Sequence, residues 1–152
     1  MRLSQAELNT ITCGVLRIGS YNSNNVTIKS PILSPASWQT LSLISGYMIS
    51  QTPGSTIQVD NLGVHSPGAV NFTENNAVGT LAGVVSSFTD VDNLTIGTVD
   101  GLTGIVADSC TMRTLAGNVS PNPSHDLEFG SVATSARAVR SLVGPRSDLR
   151  RG

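Results

Sequence analysis

The sequence predicts an all-β chain wound into a parallel β-helix, a solenoid of short strands, and three observations carry that prediction. Apolar and polar residues alternate in short runs, among them Leu16-Arg17-Ile18, Val26-Thr27-Ile28, Leu41-Ser42-Leu43, Ile57-Gln58-Val59, Val70-Asn71-Phe72 and Leu94-Thr95-Ile96. This period of two is the one a strand imposes, because successive side chains leave opposite faces. Gly, Asn, Ser and Pro separate the runs, and no segment carries the apolar spacing of a long helix. Residues 21 or 22 positions apart also match in character, Ile28 with Ile49, Leu43 with Val64 and Val59 with Leu81. Coils of roughly 20 to 25 residues with two or three strands each produce such a spacing. A longer echo joins Leu16-Arg17-Ile18-Gly19 to Leu94-Thr95-Ile96-Gly97. A β-sandwich is the competing all-β arrangement, since its turns recur on a similar scale.

Taken in order, residues 3–12 allow one short helical turn, with Ser4 as N-cap and Glu7, three residues on, completing a capping box. Tyr21-Asn22-Ser23-Asn24-Asn25 turns the chain between the Leu16 and Val26 runs. Ser34-Pro35-Ala36-Ser37, Pro53-Gly54-Ser55 and Ser66-Pro67-Gly68 do the same ahead of Leu41, Ile57 and Val70. Gly19, Gly46, Gly97 and Gly101 are placed for corners of positive φ, and Asn24-Asn25 and Asn75-Asn76 for side-chain amides that satisfy backbone groups at turns. In a coil, Val26/Ile28, Leu41/Leu43 and Leu94/Ile96 form inward aliphatic columns, with Thr27, Ser42 and Thr95 toward solvent. Beyond Cys110 the alternation deteriorates: Pro121 to Asp126 reads as a loop and residues 133–143 fit a weak helix. The expected organisation is an N-terminal turn or cap over residues 1–12, a β-helix repeat domain over 13–130 and a poorly ordered basic tail over 131–152. Open terminal coils expose strand edges and core, so covers are expected around Ala6 and Leu8 at one end and Val139 and Leu142 at the other.

With 152 residues, 39% hydrophobic but only 4% aromatic and 12% charged, the chain suits one domain rich in tight turns and solvated strand faces. The net charge of −1 hides an asymmetry: Arg137, Arg140, Arg146, Arg150 and Arg151 all lie in the last sixteen positions, and residues 1–135 hold four basic side chains against nine acidic ones. No aromatic residue interleaves with these arginines, so a solvated tail is expected and no nucleic-acid partner. Cys13 and Cys110 form no CxxC pair, and one disulfide or two buried thiols both fit. No apolar run reaches the ~18 residues of a membrane span. Met1 to Thr12, with Glu7 and Asn9, does not have the basic start and apolar run of a signal peptide.

The segments Glu7 to Gly19, Val26-Thr27-Ile28, Leu41-Ser42-Leu43-Ile44-Ser45-Gly46, Asn76-Ala77-Val78-Gly79-Thr80-Leu81-Ala82 and Asp92 to Ile105 stand in an order that resembles the repeat region of filamentous-haemagglutinin-like exoproteins. These are large bacterial surface or secreted adhesins of the two-partner secretion type, and the match covers about residues 7–106. The resemblance implies a right-handed parallel β-helix, export through an outer-membrane transporter partner, and adhesion to glycans or proteins of host or neighbouring cells. It brings no catalytic residue. Cys13 stands where the family commonly has a small residue, the amino-terminal secretion domain is missing, and the fit is poor after Cys110. A segment of a longer secreted or cell-surface chain is therefore expected.

Asp90, Asp92 and Asp100 invite two chemical readings, a calcium loop and the paired carboxylates of a glycan-cleaving β-helix enzyme. A calcium loop of the EF-hand kind needs Gly at its sixth position and Glu at its twelfth, where Thr95 and Gly101 stand, and no Lys or Arg lies between Lys29 and Arg113. Turn capping is the expected role. His65 and His125 have no Gly-x-Ser-x-Gly elbow to serve, and with two dispersed cysteines they lack zinc spacing. No catalytic residue, cofactor or metal ligand is assigned. Trp38 and Tyr47 are the candidate glycan-contact residues, as rings for a sugar face, with a core anchor as the competing role for Trp38. Asn25, Asn71, Asn93 and Asn118 open Asn-x-Ser/Thr triplets, which arise readily in so Asn- and Thr-rich a chain. The functional expectation is a non-enzymatic adhesin segment making weak multivalent contacts. The alternatives are a fragment of a glycan-active lyase or hydrolase and a short reading frame without an independent role. A groove with two or three carboxylates and a base favours the enzyme; one lined by Ser, Thr and Asn favours the adhesin.

Overall fold

A computed structural model of the chain describes residues 4–121 and 132–134. It is a parallel β-solenoid of about five turns. Among the described residues every strand pairing but one is parallel, which removes the sandwich alternative. The first coil holds β1 (Val15–Gly19), β2 (Val26–Ile28) and β3 (Ile32–Leu33), and the second opens with β4 (Thr40–Ile44) and β5 (Ile49–Gln51). β6 (Ile57–His65) and β7 (Val70–Val84) run on around the corners without a break in strand structure. There follow β8 (Ser87–Asp90), β9 (Leu94–Ile96), β10 (Thr98–Val99), β11 (Leu102–Thr103), β12 (Ile105–Val106), β13 (Cys110–Thr114), β14 (Val119–Pro121) and β15 (Val132–Thr134). Face one stacks β1, β4, the end of β6 and the end of β7, which carries both β9 and β12; β14 follows β9. Face two stacks β2, β5, the start of β7, β8, β13 and β15. Face three is short: β3, the start of β6 and the middle of β7.

The register builds the core. Leu16, Leu41, Leu62, Leu81 and Ile96 form one inward column, and Ile18, Leu43 and Val64 form a second. On face two Val26, Ile49 and Val70 stack, and Phe72, Phe88 and Met112 continue beside them, the two rings meeting edge-on at 6.0 Å. Burying each such side chain contributes ~1.5–3 kcal/mol, so the columns are what hold coil on coil. Leu43 does stack on Val64, but Ile49 stacks on Val26 rather than Ile28, and Val59 on Val78 rather than Leu81. Leu16 shares its column with Ile96 rather than Leu94. Variable coil length is the cause: the step along this column is 25 residues to Leu41, 21 to Leu62, 19 to Leu81 and 15 to Ile96.

The amino-terminal turn is α1 (Gln5–Leu8), closed by the expected capping box: the Ser4 N–H donates to the Glu7 carboxylate at 2.8 Å and the Glu7 N–H to Ser4 Oγ at 3.3 Å. Leu8 is buried while Ala6 is exposed, and the turn is tied to the first coil by Gln5, whose side chain exchanges hydrogen bonds with the Leu33 backbone. Gly19 takes positive φ of 96°, and a Cβ there would fall 1.9 Å from the Ile44 carbonyl oxygen. Gly101 also has positive φ; Gly46 and Gly97 do not. Gly46 serves close approach instead, since a Cβ would lie 2.3 Å from the Tyr21 carbonyl oxygen. At the far end Val132–Thr134 pairs with Cys110–Met112, so the solenoid continues past residue 130, and residues 133 and 134 are strand where a helix was expected. The rest of the expected tail and helix, the cover at Val139 and Leu142, and His125 lie outside the described residues.

Part of face one is covered, contrary to its pattern. The chain leaves the coil at Gly97 and rejoins it at Gly104, whose N–H donates to the Gly97 carbonyl at 2.8 Å. Between them β10 and β11 pair antiparallel around Asp100-Gly101, both with positive φ, the two-residue turn whose twist matches a hairpin. The hairpin lies over the outward row Arg17, Ser42, Gly63 and Ala82. Val99 is thereby 3% exposed and Ser42 2%, where solvent was expected for Ser42. Gly63 admits the close contact: a Cβ there would meet Val99 Cγ1 at 3.3 Å. Arg17 grips the tip, its guanidinium bidentate on the Asp100 carboxylate.

Candidate functional site

Two outward rows of hydroxyl and amide side chains remain at least partly exposed. Thr27, Ser50, Asn71, Ser87 and Thr111 line face two, and Thr40, Asn61, Thr80, Thr95 and Ser120 line face one. Each row climbs one rung per strand, about 4.8 Å a step. The four Asn-x-Ser/Thr triplets are this same alternation: Val26, Phe72, Leu94 and Val119 point to the core, and the flanking Asn and hydroxyl residues are exposed.

Trp38 is not a glycan-contact residue. It is 2% exposed, and its indole N–H donates to the Leu8 carbonyl at 3.1 Å, so the ring is the anchor on which α1 seats. Tyr47 is 64% exposed, and so is Tyr21, which the sequence reading overlooked. Both occupy the turn after a face-one strand: Gly46 packs on the Tyr21 carbonyl, and Gly68 on the Tyr47 carbonyl one coil later. The Ser45 and Ser66 hydroxyls fix that corner by donating to the Asn24 and Tyr47 carbonyls, at 2.9 Å each. His65 joins it, its ring edge-on to Tyr21 with centroids 4.7 Å apart.

The three aspartates do not converge. Asp90 is fully buried and accepts the Val78 N–H at 2.8 Å and the Asp92 N–H at 3.0 Å. Burial pushes its carboxyl up to about 6, against the pull of those donors. It stacks on Asn76, whose buried amide accepts the Ile57 N–H at 2.8 Å and donates to the Glu74 and Thr89 carbonyls. Asn76 thus does the backbone service expected of a corner amide, and Asp90 does it one coil on as a carboxyl. Asp92 is exposed, and Asp100 belongs to the hairpin tip, where hydrogen bonding from Arg17 and Ser42 holds its carboxyl low. Among the described residues no group of three or more His, Cys, Asp or Glu is placed to hold a metal ion. Cys13 and Cys110 are both free, which decides against the disulfide, and burial pushes the Cys110 thiol up to about 11.

A trough of about 340 Å³ opens on face three, where the coil leading to β9 is short. Ala77 and Gly79 of β7 form its floor, Gln58 and Asp60 of β6 one side, and Asp92 and Asn93 the other. Gly79 keeps the floor low, since a Cβ would lie 2.8 Å from the Asp60 carbonyl oxygen. Two carboxylates flank the trough, amides and the Ser34 hydroxyl complete it, and its lining contains no Lys or Arg. These observations define the chain as a parallel β-solenoid with polar rungs, an aromatic corner and an acidic trough. Comparison with protein-family models, with curated proteins and with solved structures finds no match.

Proposed function

We propose that the chain is a non-enzymatic segment of a bacterial surface or secreted adhesin, of the filamentous-haemagglutinin-like kind, whose stacked coils present an extended contact surface. The supporting observation is the pair of outward rows, each repeating a hydroxyl or amide on five successive rungs. Contacts of one type repeated along a rigid axis suit weak multivalent attachment, in which avidity exceeds any single contact. The exposed Tyr21 and Tyr47 add rings able to stack on sugar faces. Glycans or proteins of host or neighbouring cells are the partners this reading names, with an outer-membrane transporter exporting the full-length protein. Beads coated with the folded chain should adhere to cultured epithelial cells, and beads coated with heat-unfolded chain should not; equal retention contradicts the reading. Antibody to the chain should label the surface or culture medium of the native host, and signal confined to the cytoplasm contradicts export.

One observation favours the enzyme reading as a runner-up: Asp60 and Asp92 stand on opposite sides of an open trough, as paired carboxylates of a glycan-cleaving enzyme do. Release of new reducing or unsaturated ends from polysaccharide, lost on Asp60→Asn and Asp92→Asn, would establish it.

A further inference from the structure

We propose that the trough on face three binds a neutral oligosaccharide, recognised by hydrogen bonding rather than by charge. This rests on the adhesive reading for the choice of a glycan, but the site itself stands on its geometry. Gln58, Asp60, Asp92 and Asn93 are all exposed there. Among the described residues the Asp60 and Asp92 carboxylates and the Gln58 amide have no side-chain hydrogen-bond partner, and Asn93 engages only its Oδ1, which accepts the Asn118 N–H at 3.0 Å. The trough therefore offers carboxylate acceptors and amide donors together. That is the complement of a sugar hydroxyl, which donates and accepts at once.

Charge narrows the choice. With two carboxylates and no cationic side chain in the lining, a sulfate or uronate group meets like-charge repulsion there. Shape narrows it further. The lining crosses four rungs, from Ser34 after β3 over β6 and β7 to the segment after β8, so the trough extends about three 4.8 Å steps along the solenoid axis. At about 340 Å³ it lies at the small end of ligand sites, and its openness at the surface suits part of a longer chain. Asp90 turns into the core and lines none of the trough, so Asp60 and Asp92 are the carboxylates it presents.

The test is a titration of the 15N-labelled full chain with neutral tetrasaccharides of glucose, galactose and mannose, with sulfated and uronate tetrasaccharides, and with calcium chloride alone. At least one neutral series should shift the amides of Ala77, Gly79, Asp92 and Asn93, and the acidic series should not. Ala77→Leu, which fills the floor, and the Asp60→Asn/Asp92→Asn double variant should each weaken binding about tenfold or more, the equivalent of ~1.4 kcal/mol, while thermal midpoint and Trp38 fluorescence stay as in the unaltered chain. Four results overturn the trough: shifts centred on Tyr21 and Tyr47, a preference for acidic sugars, affinity unchanged in both variants, or a response to calcium alone. The first leaves the adhesive reading standing. Failure of every sugar with beads still adhering to cells removes the trough alone, and failure of both removes the adhesive reading as well.

Discussion

Acid should stabilise this solenoid through Asp90, and substitution of that one residue should abolish the effect. Its carboxyl titrates near 6 in the folded chain against 3.8 when solvated. The folded state therefore binds more protons than the unfolded state between those values, so the group's contribution to stability is full below about pH 4 and is lost as pH rises through 6. The integrated effect is ~3 kcal/mol over the whole window, and ~1.4 kcal/mol between pH 7.5 and pH 5. Glu7 and Asp100 act in the opposite sense, since their carboxyls are held low by Ser4 and Arg17 and must be protonated in acid. The isolating comparison is Asp90→Asn. The new Oδ1 can accept the Val78 N–H as Asn76 accepts Ile57, at a cost of about 1–3 kcal/mol for whichever donor is left unpaired. That cost is independent of pH, so only the slope carries the test. In thermal melts, the midpoint of the unaltered chain minus that of Asp90→Asn should rise by about 3–6 °C on going from pH 7.5 to pH 5. A difference that stays constant with pH, or falls in acid, refutes the reasoning.

Gly83→Ala forces φ of +110° on an L residue and sets a Cβ 1.9 Å from the Val64 carbonyl oxygen, so it should cost several kcal/mol, whereas Gly101→Ala, with nothing within 4 Å, should cost only about 1–2 kcal/mol in urea denaturation. Val99→Ser should loosen the hairpin and speed amide exchange at Ser42 and Gly63 without unstacking the coils, while Arg17→Met, losing an ion pair whose arginine is 60% exposed, should leave the urea midpoint nearly unchanged. The Cys110 thiol should resist Ellman's reagent at pH 8 until the chain unfolds, because burial raises it to about 11; rapid labelling in the folded chain contradicts its placement.

The strands were legible because their evidence is local. Val26-Thr27-Ile28 or Leu41-Ser42-Leu43 states its own period, and Ser4 and Glu7 state their own cap. Stacking partners were not, because a column is set by the length of the intervening turns, and those lengths change from coil to coil. The hairpin had a signal that went unused: Asp100-Gly101 between Val99 and Leu102 is a two-residue turn flanked by alternating residues. Trp38 carries no pattern of its own, and its burial depends on α1, thirty residues earlier in the chain. Asp90 reads as one more turn aspartate until the register places it over Asn76. The trough is least visible of all. Gln58, Asp60, Ala77, Gly79, Asp92 and Asn93 come from three rungs, and only the short step from Leu81 to Ile96 brings the last pair against the first.

Pulsed electron-spin measurement of distances within one outward row tests the stacking most directly. With the native cysteines removed, spin labels at Thr27 and Thr111, and separately at Thr40 and Ser120, are each four rungs apart in the register. Parallel coils place both pairs of Cα atoms about 19 Å apart, although their separations in sequence differ. Two clearly unequal distances, or either one beyond about 30 Å, would contradict the solenoid and with it every surface described above.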